Sequence, residues 1–195
     1  MLAFLLANPL VAAALWAFMY IFDYAATIWF ARLYRRNPDR HITFEGGVEL
    51  NPVFEKEIAG LRLVSPRFLF LLVLLVLLLV LIGTFDPTDI GFESVLGACL
   101  LMWLFIDLRH LRNIYLNAML KARPNAMMGQ ITQSYWLSQR AVSFDAFGFA
   151  LVCTVACLAS GRAFFAGGML VCAALALRHF LLAKRKPVIS TDTEK

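Results

Sequence analysis

The chain has 195 residues, of which 61% are hydrophobic and 16% charged, with a mean hydropathy of +0.73. That composition excludes an ordinary soluble domain and a disordered chain alike. The net charge of +5 does not argue for a nucleic-acid partner, because the basic residues cluster beside apolar runs in the manner of loops held on one side of a membrane.

A helix crossing a hydrocarbon layer of roughly 30 Å needs about 20 apolar residues. Five such runs occur, near 10–31, 66–83, 94–112, 141–160 and 163–183. The expected fold class is therefore all-α: a polytopic integral membrane protein, one transmembrane domain of five helices over 1–195.

The opening "MLAFLLANPLVAAALWAFMY" lacks the basic n-region of a secretory signal, and its apolar stretch continues to Phe30. It reads as a first transmembrane helix that begins after Asn8-Pro9, since proline suits a first helical position. Tyr20, Asp23, Tyr24 and Thr27 are spaced to share one face of that helix. Nine residues separate Asp23 from Arg32, about 13 Å of helix, which puts the carboxylate inside the apolar layer near its basic end.

The connection at 34–65 carries order of its own and is expected as a cytoplasmic loop with a short interfacial helix. In "NPVFEKEIAGLR", Asn51 can cap a helix, Pro52 can open it and Glu55 suits its first turn. Val53, Phe54, Ile58 and Leu61 then fall on one side, toward the membrane surface. Gly46-Gly47 can make a tight turn that returns Glu45 and Glu49 to the membrane.

The second span, "RFLFLLVLLVLLLVLIG", has no polar side chain after Arg67 and suits lipid contact. The third carries Asp107 and His110 one turn apart, then continues amphipathically through Leu111, Tyr115 and Met119 toward Ala122, where Pro124 follows as a break. Asp107 and His110 can either hold one ion together or neutralise each other.

The fourth span enters with Gln139, Arg140, Ser143 and Asp145, and Asp145 can pair with Arg140. Small residues along the fourth and fifth spans permit close backbone approach, and the turn at Ser160-Gly161 joins them as an antiparallel hairpin. The fifth ends with Arg178 and His179; like Arg140, these read as stabilising residues near an interface. Cys99, Cys153, Cys157 and Cys172 all lie inside spans and read as small packing residues.

Basic residues crowd the first loop (Arg32 to Arg67), the third (Arg109 to Arg140) and the tail, whereas the second loop holds Asp86, Asp89 and Glu93 and the fourth only Arg162. Alternate loops are thus basic, so the N-terminus is expected outside and the C-terminus in the cytoplasm. Four of the five helices then bring ionisable groups to one cytoplasmic level, next to the glycine turn. An acidic, histidine-bearing chamber is expected there, built by Asp23, Tyr24, Thr27, Glu45, Glu49, Asn51, Asp107, His110 and Asp145. A divalent cation on Asp23, Glu49, Asp107 and His110 is the one cofactor such a set would take.

"FDYAATIWF" followed by "EGGVELNP" resembles a family of small uncharacterised prokaryotic membrane proteins, in which an Asp-bearing first helix precedes a Glu-x-Asn-Pro turn and a second helix. The matching residues are Asp23, Tyr24, Thr27, Gly46, Glu49, Asn51 and Pro52, and the likeness covers about residues 15–85. It implies a shared site and a prokaryotic inner (plasma) membrane, and brings no activity.

The expected function is a small channel or transporter whose chamber binds a cation or protons. One alternative is a membrane-embedded metal-dependent enzyme at the cytoplasmic leaflet, with His110 as a metal ligand or as a base oriented by Asp107. No HExxH, GxSxG or paired Cys-His spacing accompanies it. A non-catalytic accessory or assembly subunit is the other. Expected partners are membrane lipids, further copies of the chain, and a small ion or lipid-linked substrate.

Overall fold

Proline and long apolar runs dictate the elements. The computed structural model describes residues 1–36, 42–44, 54–86, 90–123, 129 and 131–184. A short helix α1 (Leu2–Ala7) stops at Asn8, and α2 (Pro9–Arg36) starts at the proline, whose missing N–H costs nothing in a first turn. Strand β1 (Ile42–Phe44) follows, then α3 (Glu55–Ala59), α4 (Pro66–Phe85) and α5 (Ile90–Ala122). Strand β2 (Ile131–Gln133) leads into α6 (Tyr135–Ser160) and α7 (Ala163–Leu182).

Five of these, α2, α4, α5, α6 and α7, are long and apolar enough to cross a membrane, the make-up of an integral membrane protein. At 33 residues, α5 measures about 50 Å and outreaches a hydrocarbon layer of roughly 30 Å.

The helices pack in the order α4, α2, α5, α7, α6. Along α4 only Phe68 and Leu79 are buried; one face, with Val73, Leu77 and Leu81, is exposed, and another, with Leu72, Leu75 and Val76, packs on the core. Helices α5 and α7 approach closely: a Cβ on Gly97 would meet the Phe164 carbonyl, and one on Gly167 would meet the Ser94 carbonyl. The glycines of the fifth span therefore serve its approach to α5. Helices α6 and α7 also pack along one another, as expected of an antiparallel hairpin, although a methyl on Gly148 of α6 would meet nothing within 4 Å. The turn between α6 and α7 is closed by Gly161 at φ +64°, a left-handed C-cap that glycine adopts without strain.

At the end where α5 and α7 begin, Glu93 is buried and joins the two helices. It accepts from Arg162 Nε at 2.8 Å and from the Phe164 backbone N–H at 3.3 Å. The carboxylate thus satisfies an otherwise orphaned donor in the first turn of α7 and favours its positive dipole end.

At the other end, two segments distant in sequence are tied together. Strand β1 pairs in parallel with β2, Thr43 opposite Thr132, and the two hydroxyls meet at 3.0 Å. Arg35 at the end of α2 donates to the carbonyl of Ala59, fixing α3 beneath it. The short helix expected to lie in the interface turns part of its apolar side to the bundle: Ile58 is buried and Phe54 packs edge-on to Tyr24 with centroids 6.0 Å apart. Its apolar side has a protein surface to cover.

Candidate functional site

Four side chains on one face of α2, spaced by three or four residues, point into the molecule: Trp16, Tyr20, Tyr24 and Thr27 are all buried. Asp23 lies at the edge of that stripe with 17% of its side chain exposed, and it meets His110 of α5, whose Nε2 is 3.1 Å from Asp23 Oδ1. Thr27 Oγ1 is 3.3 Å from the same nitrogen. An apolar layer penalises an isolated carboxylate by several kcal/mol or more, and this arrangement offsets that cost with a cross-helix partner.

The pair borders a cavity of about 390 Å³ at the arginine-rich end of the bundle. Asp23, Tyr24, Thr27, His110 and Asp145, all expected in a chamber, line it from α2, α5 and α6. Asp107 does not line it. It is buried behind the wall, and its Oδ1 has no hydrogen-bond partner among the described residues. The ion-pair contact of His110 is thus with Asp23 on a neighbouring helix. Glu45, Glu49 and Asn51 lie outside the described residues.

Asp145 takes different partners from the one the sequence offers. Its Oδ2 is 3.7 Å from Arg109 Nε and 3.6 Å from Arg112 Nη1. Arg140 instead lies over the Phe180 ring, 3.9 Å from the centroid, with Trp136 on another side at 5.6 Å. Stacking on two rings places the guanidinium as a cation–π bridge between α6 and α7. His179 is fixed as well: Nδ1 sits 2.5 Å from Oε1 of the fully buried Gln139. Ser143 donates to the Ala176 carbonyl at 2.8 Å.

Sequence reasoning missed the cationic side of the cavity. Arg109, Arg112 and Arg178 all line it, so three guanidiniums face it against the carboxylates of Asp23 and Asp145. The signal was available for two of them, because a spacing of three puts Arg109 and Arg112 on adjoining positions of one helix surface. Among the described residues no three His, Cys, Asp or Glu side chains form a group able to hold a metal. Asp23, Asp107 and His110 thus form no such group by themselves, and Glu49, the fourth ligand expected, lies outside the described residues.

Aromatic rings close the chamber on the side of the Pro9 end. Tyr20 stacks on Phe68 at 4.9 Å and on Trp16 at 5.1 Å, and meets Trp103 edge-on at 5.1 Å. Beyond them Trp16, Phe92 and Leu96 are sealed from solvent. Tyr24 stacks on Phe68 at 4.4 Å and donates its hydroxyl proton to the Arg62 carbonyl at 2.9 Å, which anchors the segment between α3 and α4 over the cavity.

Comparison with protein-family models, with curated proteins and with solved structures gives no match. The resemblance of residues 15–85 stands on its motif alone.

Proposed function

We propose that this protein is a small membrane carrier of the prokaryotic inner membrane. In this reading its chamber opens to the cytoplasm and carries a proton on the Asp23–His110 pair. The orientation follows from the placement of arginine and lysine, which mark the chamber end as the cytoplasmic one. One observation carries the reading: an aspartate and a histidine from different helices meet at 3.1 Å on the wall of a cavity that aromatic rings close on its far side. Such a blind cavity fits alternating access better than an open pore. A carboxylate beside a neutral imidazole has one net negative charge, and a proton turns it into a neutral ion pair. Charge cancellation lowers the cost of any rearrangement that exposes the site to apolar surroundings.

Vesicles of phosphatidylglycerol and phosphatidylcholine holding the reconstituted chain and an internal pH dye test this. A potassium diffusion potential should drive proton entry faster than in protein-free vesicles, and Asp23→Asn or His110→Gln should return it to background. Wild-type flux equal to that of empty vesicles, under either polarity, would sink the carrier reading.

A second reading, an enzyme at the cytoplasmic leaflet, is favoured by the same Asp–His contact. An aspartate that holds a histidine through one ring nitrogen is also how a general base is oriented. Here the aspartate would be Asp23, on the neighbouring helix.

A further inference from the structure

We infer that the chamber takes an anionic amphiphile, a lipid phosphate ester whose headgroup sits among Arg109, Arg112 and Arg178 while its acyl chains remain in the bilayer. The inference deepens the carrier reading by naming a cargo class, and it rests on the same chamber.

Charge is the first support. Asp23 is engaged by His110. Asp145 is shared between Arg109 and Arg112 at 3.7 and 3.6 Å, distances longer than the 2.7–2.9 Å or so of a close charge-assisted bond. Arg178 makes no ion pair among the described residues, yet it lines the same cavity. Arg112 and Arg178 thus border the cavity with, among the described residues, only the long contact to Asp145 on one of them. A phosphate supplies the missing negative charge and has oxygens enough for several guanidinium N–H groups at once, the geometry in which arginine surpasses lysine.

Shape is the second. The rest of the wall is apolar, with Phe30, Trp103 and Leu116 among the residues that face the cavity. A free inorganic anion would gain nothing from that surface and would lose hydration against it. At about 390 Å³ the cavity is at the small end of the roughly 300–1,000 Å³ of ordinary ligand sites, enough for a headgroup and the start of a chain.

The third is access. Each helix packs on the next in the order α2, α5, α7, α6, and among the described residues α2 and α6 are not packed along one another. Both nevertheless contribute to the cavity wall, Asp23 from one and Asp145 from the other. The side between α2 and α6 is therefore the exit we assign to the chamber. Acyl chains can leave through it without leaving the membrane.

Native mass spectrometry of the full chain in a non-ionic detergent tests the assignment, with phosphatidylglycerol, phosphatidylcholine or inorganic phosphate added. One phosphatidylglycerol per chain should survive detergent removal, where phosphatidylcholine does not, because its choline cancels the charge the arginines need. Arg112→Gln and Arg178→Gln should each weaken retention about tenfold, the effect of losing one charged hydrogen bond of 1.5 kcal/mol or so. Arg178→Lys, which keeps charge and length, should lose less and certifies that substitution there leaves the fold intact. Equal retention of both lipids, or undiminished phosphatidylglycerol binding in both Gln variants, would overturn the proposal. Displacement of the lipid by millimolar inorganic phosphate would overturn the lipid source and assign the site to a free anion. Selective lipid retention in a protein that moves no protons would leave this subsite standing while the carrier reading falls.

Discussion

At the scale of single residues, Asp23 poses the sharpest energetic problem, a carboxylate on an apolar helix far from its ends. The partner that answers it is 87 residues away in sequence, His110, and comes from a helix that packs alongside. Asp23→Asn keeps the shape and can still accept from the His110 ring, so it should leave the melting temperature nearly unchanged in a thermal scan while abolishing proton flux. Asp23→Ala removes the acceptor as well and leaves His110, among the described residues, with Thr27, a loss of about 1–3 kcal/mol for a buried polar group left unsatisfied. A melting temperature equally low in the Asn and Ala variants would mean that the carboxylate matters for folding and not for protons. Tyr24 offers a quieter case. Its ring is held by Phe54 and Phe68, so Tyr24→Phe should cost only the bond to the Arg62 carbonyl, about 1 kcal/mol. Hydrogen exchange should then speed up at residues 61–64 and stay unchanged in α6. The sequence showed that Asp23 needed a partner and that His110 lay at matching depth; it could not show that they face each other, since depth along an axis says nothing about rotation around it.

Elements bring a different kind of ambiguity. A small residue announces that some backbone comes close, without saying which. Gly167 and Gly168 were legible as contact residues, yet they meet α5 at Ser94 and Leu101, and the hairpin partner α6 needs them less. Gly97→Ala or Gly167→Ala would force a methyl into a facing carbonyl, where backbone must give way, and should cost about 1–3 kcal/mol or more. Gly148→Ala on α6, with open space around its Cβ, should stabilise by roughly 0.5–1 kcal/mol through helix propensity. Thermal unfolding of the three variants in one detergent gives the comparison directly. Equal effects at Gly97 and Gly148 would mean that the α5–α7 contact is not what holds these helices. Helix α3 shows the same limit. Its apolar side was readable from spacing, but an apolar stripe fits a membrane surface and a protein surface alike, and only the fold chooses between them. Glu93 was misplaced for a related reason: beside Asp86 and Asp89 it reads as a loop acid, whereas α5 begins at Ile90 and carries it inside.

For the molecule as a whole, the five apolar helices were written plainly in the chain, because each needs only local composition to declare itself. The level at which polar groups gather was readable too, by counting residues from each helix end. The cationic half of the chamber was not, because arginines near a helix end are ordinarily explained by the membrane surface, and that explanation hid Arg109, Arg112 and Arg178. Their arrangement makes the chamber one-sided, and a labelling experiment follows from that asymmetry. Asn113 lines the cavity, whereas Ala12 has no exposed surface and lies in the sealed half with Trp16. In a background where the four cysteines are replaced by alanine, Asn113→Cys should react with a membrane-impermeant maleimide only from the side that bears Arg35 and Arg36. Ala12→Cys should react from neither side. A bound anionic lipid should protect Asn113→Cys, since the headgroup would occupy the water through which the reagent arrives. Reaction of Asn113→Cys from both sides would make the aromatic closure around Tyr20 permeable and the molecule a pore, and its reaction from the opposite side alone would invert the orientation that the distribution of arginine and lysine implies.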